Sequence, residues 1–364
     1  RGLLYMPVST PSNDYYGGRR PGQNLFGETL VCLDANTGVR KWHFQIVHHG
    51  LWDYDPASAP NLVTITVDGK KIDAVVQLTK QGFAFVFDRV TGKPVWPIEE
   101  RPVPRSEVPG EASWPTQPFP TRPPAFEAQG VTLDDAFDAT PELKAAAQAE
   151  LKKYKLGPLY TPPSMQGTVV MPGVIGGANW GGGSFDPDTG RLYVKTTKGP
   201  AIFKMEVFDK TKQAADRQDE VDAEYINRSQ STTVNGVPIV KPPYGSLVAI
   251  DLNKGTIAWK VPVGDDPDLR RAPALKGVTL PDRLGVSGAP GNIVTKGGLV
   301  FVGGNDMGIS AFDKNTGKEV WRHVLPRRSS GTPMTYLAAD GRQMIVIATG
   351  QGEDTALVAF ALAK

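Results

Sequence analysis

One cysteine, four histidines and no long apolar run set the first limits on this 364-residue chain. A single thiol, Cys32, excludes an internal disulfide and any cysteine–histidine metal cluster. Its setting, Leu30-Val31-Cys32-Leu33, predicts a buried strand residue. No apolar stretch reaches the ~18 residues that a bilayer-spanning helix needs. Charge of one sign is lacking too: 40 basic and 38 acidic residues leave a net +2. That balance excludes a nucleic-acid or membrane-surface function. Also missing are a nucleotide-binding glycine fingerprint ahead of a helix, a nucleophile-elbow serine and a c-type haem attachment motif. There is neither an initiator Met nor a signal-peptide pattern, and a strand signal starts at once in Leu3-Leu4-Tyr5-Met6. We therefore expect the chain to start inside a domain.

What is abundant is glycine, proline and aromatic surface. Forty Gly and 32 Pro accompany 14 Phe, 10 Tyr and 7 Trp, a composition of many short strands and tight turns. A repeat organises them. Asp34, Asp88, Asp251 and Asp313 are each followed by Gly four residues on and by Trp eight residues on. The aspartate and glycine make a turn, because aspartate bonds the following amides and glycine tolerates positive φ. The tryptophan ends the next strand and packs between layers. The aspartates lie 54 residues apart (34 to 88) and 62 apart (251 to 313), near the ~40–50 of propeller blades. Asp186–Gly190 is a further hairpin without the Trp, expected to share a blade with the hairpin at Asp251. The fold class is thus all-β, a β-propeller of four-stranded blades. Two insertions interrupt it, at about 97–160, which is Pro-rich and then helical over Asp134–Lys155, and at about 205–240. Thr140 with Pro141 is the expected start of that helix, placed at the periphery.

Candidate chemistry concentrates in His48-His49-Gly50-Leu51-Trp52-Asp53-Tyr54-Asp55. Asp53 is either a general base or a turn carboxylate capping amides. His48 and His49 point to opposite faces of a strand, which favours hydrogen bonding over metal binding. Lys80 in Thr79-Lys80-Gln81-Gly82 is a solvated turn lysine unless a partner brings it into a site. Asn179-Trp180, in a glycine-rich run, is either a ligand platform or a tight turn between blades.

These residues carry a resemblance. The repeat resembles the tryptophan-docking motif of quinoprotein dehydrogenases, eight-bladed propellers that bind pyrroloquinoline quinone (PQQ) and calcium. His48–Asp55 resembles the His-His-x-Leu-Trp-Asp-x-Asp stretch of the membrane-bound quinoprotein glucose dehydrogenase group, and Thr79–Gly82 its Thr-Lys-x-Gly. Thr161-Pro162-Pro163-Ser164, Gln166-Gly167-Thr168 and Gly331–Tyr336 match as well. The resemblance implies that Asp53 is the catalytic carboxylate and that Lys80 contacts the quinone. It implies that Asn179, Trp180 and Thr196 lie on the cofactor side and Thr10 on the metal side, with Ca²⁺ (or Mg²⁺) as the metal. It further implies a sugar or alcohol substrate, a quinone electron acceptor, a bacterial periplasmic location, and any membrane anchor upstream of Arg1. Four Trp copies imply that the chain covers roughly the C-terminal half or more of the propeller. Two other readings stand beside this one: a non-catalytic propeller scaffold of the outer-membrane assembly type, and the soluble alcohol dehydrogenase branch. The first does not need His48–Asp55 or Lys80, and the second usually carries Arg where Lys80 stands.

Overall fold

The computed structural model describes residues 1–209, 223–329 and 331–362. Part of the 205–240 insertion, residues 210–222, lies outside the described residues. Among the described residues there are eight antiparallel sheets, and five of them follow one another along the chain as blades. The first is β1 (Leu3–Val8), β2 (Thr29–Asp34) and β3 (Arg40–Gln45), and the second β4 (Asn61–Val67), β5 (Lys70–Leu78) and β6 (Ala84–Asp88). Between the second and third sheets come β7 (Ile98–Pro102), β8 (Thr116–Pro120), α1 (Pro141–Leu151) and β9 (Thr168–Val170). The third sheet opens with β10 (Gly183–Asp186) and β11 (Arg191–Thr197). After β12 (Ala201–Val207), β13 (Tyr225–Ser229), β14 (Thr233–Val234) and β15 (Val237–Pro238), it closes with β16 (Gly245–Asp251) and β17 (Thr256–Pro262). The hairpins at Asp186 and Asp251 thus share one blade, as expected. The fourth sheet holds β18 (Asn292–Val294), β19 (Leu299–Gly303), β20 (Gly308–Asp313) and β21 (Glu319–Val324). The fifth holds β22 (Met334–Leu337), β23 (Gln343–Thr349) and β24 (Ala356–Ala361).

Alternation along the inner strands explains why the sheets stack. Successive side chains of a strand leave opposite faces. On β11, Leu192 and Val194 enter the core shared with the second blade, whereas Tyr193 enters the core shared with the fourth. On β16, Val248 and Ile250 take the first side and Leu247 and Ala249 the second. Both faces are buried, so these strands read as continuous apolar runs. No blade can bury its faces without its neighbours.

The repeat works through the turn. In all four copies the aspartate Oδ1 accepts from the amides two and three residues on, at 2.8–3.1 Å. Its carbonyl accepts from the Gly amide at 2.8–2.9 Å. The first three Trp then lie on the turn glycine of the following copy. A Cβ on Gly92 would sit 2.6 Å from the Trp42 ring, on Gly255 3.0 Å from Trp96, and on Gly317 2.8 Å from Trp259. The indole nitrogens of Trp42 and Trp259 donate to the carbonyls of Arg89 and Lys314, one residue past the next aspartate.

Four expectations need correction. Only two of the five sheets have four strands. The repeat Trp does not end its strand: Trp42, Trp259 and Trp321 lie inside β3, β17 and β21, and Trp96 is on no strand, because Pro94 makes a single bridge to Phe87 and removes the amide that a ladder needs. The helix is shorter than predicted, Pro141–Leu151, although Thr140 caps it as expected, its hydroxyl accepting from the Leu143 amide. Nor is the helix peripheral. Leu143, Ala147 and Leu151 pack with Phe137, Ile202, Val240 and Tyr244 into a second core that joins the two insertions.

Docking of indole on glycine predicts a position-specific cost. Gly317 and Gly341 both have positive φ, but nothing lies within 4 Å of a Cβ at Gly341. Gly317→Ala should destabilise the full-length protein by about 1–3 kcal/mol more than Gly341→Ala in chemical denaturation. Equal losses would contradict the docking.

Candidate active site

The loop after β3 sorts its side chains by parity. Trp52 and Tyr54 are fully buried, pack against Tyr160, and donate to the carbonyls of Thr161 (2.9 Å) and Pro172 (2.7 Å). Anchoring these rings turns the alternate residues, Asp53 and Asp55, to the other side. Asp53 takes φ +56, an uncommon conformation for a non-glycine residue. Lys80, buried in the turn just after β5, reaches both carboxylates. Its Nζ donates to Asp53 Oδ1 (3.0 Å), Asp55 Oδ2 (2.8 Å) and the Asp53 carbonyl (2.8 Å). The 27 residues separating Asp53 and Lys80 thus close into one ion pair, and Asp55 is a third member that the sequence reading left unassigned.

The two carboxyls are pushed apart. Burial raises Asp53 to about 7, helped by its hydrogen bond to Asp55 and opposed by Lys80. Asp55 is held at about 2: burial opposes this, but bonds from Asp53, Lys80 and the Thr10 amide outweigh it. Two close carboxyls titrate as a unit, and here the last proton rests on Asp53. Thr10 fixes the far side. Its amide donates to Asp55 Oδ1 (2.8 Å) and its hydroxyl to Glu28 Oε1 (2.9 Å). Glu28 is wholly buried beneath Gly50, and burial pushes its carboxyl up to about 8 against the pull of Thr10 and Arg20.

The glycine-rich turn closes over Lys80. The Gly177 amide donates to the Lys80 carbonyl (2.6 Å), and a Cβ at Gly176 would sit 2.5 Å from Lys80 Cβ. Asn179 shapes this turn, donating to the Ile175 carbonyl and accepting from the Trp180 amide, both at 2.8 Å. Trp180 leaves 69% of its surface exposed. Thr196 is placed differently. Its hydroxyl donates to the buried Glu127 at Oε2 (2.6 Å), whose Oε1 accepts from the more exposed Lys260. The residues of β11 that line the glycine turn are Lys195 and Thr197, of opposite parity. Lys195 donates to the carbonyls of Val286 (2.9 Å) and Gly288 (2.7 Å), and burial lowers its ammonium to about 7. A charged residue inside an apolar β run was the available signal, and the sequence reading passed it over.

The histidines hydrogen-bond, as expected. His48 joins Gln45 (2.8 Å) and Glu100 (3.0 Å), and His49 joins the Gly22 carbonyl and Glu111, both at 2.7 Å. Both tie the active loop to the first insertion. Among the described residues no three His, Cys, Asp or Glu side chains converge as a metal site. Thr10, Asp53 and Asp55 offer hard oxygen donors, suited in kind to Ca²⁺ or Mg²⁺, but they do not complete a shell. A quinone fits the rest better: a buried ammonium beside a carboxylate, a bare backbone turn and an open indole face.

Stacked blades joined by indole-on-glycine docking, with a carboxylate–ammonium pair that ties the loop between the first and second sheets to the turn after β5, define a quinoprotein type of propeller. The chain belongs to the PQQ family described as glucose/ethanol/alcohol dehydrogenase, beta-propeller domain, which matches residues 1–345. It is 35% identical to a probable quinate dehydrogenase (quinone) of Xanthomonas campestris pv. juglandis, over 95% of this chain and 46% of that protein. It is 31% identical to the quinoprotein glucose dehydrogenase of Escherichia coli K12, over 96% of this chain and 45% of that protein. The chain thus spans about half the length of the curated relatives it matches. The quinohemoprotein alcohol dehydrogenase of Comamonas testosteroni shares the fold, with a TM-score of 0.64 at 21% identity, over 99% of this chain and 46% of that one. Among the described residues no helix is long and apolar enough to cross a membrane.

The Glu28 carboxyl yields a test independent of activity. A folded-state value of about 8 against an ordinary 4.5 means that its stabilising protonated form is fully present below pH 4.5. That stability is lost as pH rises through 8. Glu28→Gln should flatten this decline in the melting temperature measured between pH 5 and about 8.5. An unchanged slope would show that Glu28 is not the titrating group.

Proposed function

We propose that the full-length protein is a PQQ-dependent dehydrogenase of the glucose and polyol type. It oxidises a hydroxyl of a sugar, polyol or related alcohol and passes the electrons to a quinone. The observation that carries this reading is the Lys80 ammonium held against Asp53 and Asp55 beneath the Gly176–Gly177 turn. The names of the relatives support it, since they include quinate, glycerol and glucose dehydrogenases.

Bound at this face, PQQ supplies a two-electron acceptor for hydride. Asp53 acts as the general base and takes the hydroxyl proton on its carboxylate. Burial, with Asp55 beside it, raises the Asp53 carboxyl to about 7, so that it is basic enough to accept a proton yet ionised above about pH 7. Lys80 donates hydrogen bonds to oxygen that gains negative charge, in a site shielded from water by Trp52, Tyr54 and the glycine turn. Asn179 and Trp180 support the cofactor face. Thr10 orders the side where Ca²⁺ or Mg²⁺ would bind, completed by groups beyond this set. The reading includes a periplasmic location.

The test is reconstitution of the full-length protein with PQQ and Ca²⁺, followed by dye reduction with glucose, glycerol and quinate. Asp53→Asn should retain PQQ absorbance on the protein and lose turnover by about 10²–10⁴-fold. In the wild type, kcat/KM should fall tenfold per unit below about pH 7, because protonated Asp53 accepts nothing. Wild-type turnover in Asp53→Asn would remove Asp53 from the reaction.

A further inference from the structure

A cavity of about 300 Å³ opens beside the joined insertions, a volume at the low end for small-ligand pockets. It is separate from the candidate active site. None of Asp53, Asp55, Lys80, Asn179 or Trp180 lines it, and the segment from Val174 to Gly177 stands between it and Lys80.

Most of the cavity wall is apolar, and it includes Val240, Tyr244, Leu269 and Val286. The exception at its centre is Lys198, which follows β11 and is anchored by its amide, donating to the Tyr244 carbonyl (3.0 Å). The residue is 8% exposed, yet among the described residues its Nζ has a single acceptor, the Lys241 carbonyl at 3.0 Å. An ammonium has more donors than that one acceptor uses, so donors remain for the cavity. Among the described residues no carboxylate lies within ion-pair distance of it, and burial lowers the ammonium against the more distant pull of Asp135 and Glu127. A buried ammonium without a carboxylate is costly, and a ligand that brings one offsets that cost. Asp266 is the other charged group of the lining. It spends one oxygen capping a short helical turn, accepting from the amides of Asp268 (3.0 Å) and Leu269 (2.9 Å). Its negative charge tolerates one carboxylate paired to Lys198 and repels a second. The hydroxyls of Thr232 and Ser287 complete the polar part of the wall.

We propose that this cavity is a binding site for small aromatic monocarboxylates, with the ring against the apolar wall and the carboxylate paired to Lys198. The volume suits a single ring, and the wall supplies one cation for one anionic group. The inference is independent of the dehydrogenase reading, since no step of the reaction passes through the cavity.

Benzoate is the probe, titrated by calorimetry into the full-length protein. Three ligands, each lacking or adding one feature, should bind about tenfold more weakly or worse. They are benzyl alcohol, which loses the charge, acetate, which loses the ring, and phthalate, which adds a second carboxylate. Lys198→Met should raise the benzoate Kd about tenfold or more, and Lys198→Arg should keep it near wild type. Asp53→Asn should leave it unchanged, because the two sites are walled apart. The proposal is overturned if the wild type does not bind benzoate, or if any of the three ligands binds as tightly. It is equally overturned if benzoate binding survives Lys198→Met or is lost in Asp53→Asn. The ligand series on the wild type decides the question even where Lys198→Met fails to fold.

Discussion

One buried ammonium between two carboxylates of the same loop is the interaction on which the site depends. Lys80 is 6% exposed and donates to both Asp53 and Asp55. Without it, two neighbouring carboxylates would repel each other in a desolvated loop. With it, one charge is neutralised and a single proton is left to move on and off Asp53 near pH 7. The loop can present this pair because its aromatic residues are spent elsewhere. Trp52 and Tyr54 are driven into the core by burial and hydrogen-bonded there, and the alternate residues have only one direction left.

The propeller supplies rigidity and the insertions supply shape. Blade stacking buries both faces of the inner strands, so β5 and β11 cannot shift without disrupting two cores. That fixes Lys80 just after one strand and Lys195 on the other. The insertions add a core of their own, built on α1 and the β14–β15 region. The two histidines clamp the active loop to the first insertion through Glu100 and Glu111. Loops carried on a rigid frame are the usual bearers of chemistry.

The repeat was legible because its causes are local. Asp, Gly and Trp act within nine residues, and the hydrogen bonds that need them recur in every copy. The partnership of Asp53 with Lys80 came from family resemblance, since nothing in a 27-residue separation requires contact. Asp55 could have been found by alternation from Asp53. The burial of α1 was not legible, because its partners Ile202 and Val240 lie far along the chain. Strand parity defeated the reading at Thr196. An apolar run buried on both faces carries no alternation to show that Lys195 and Thr197, rather than Thr196, meet the glycine turn.

The most direct test is a crystal structure of the full-length protein with PQQ bound. The account predicts cofactor density beside the Gly176–Gly177 turn, with Lys80 Nζ within hydrogen-bond distance of a quinone oxygen and the Asp53 carboxylate next to the reacting carbon. Density on another face of the blades, with Lys80 still bonded only to Asp53 and Asp55, would contradict it.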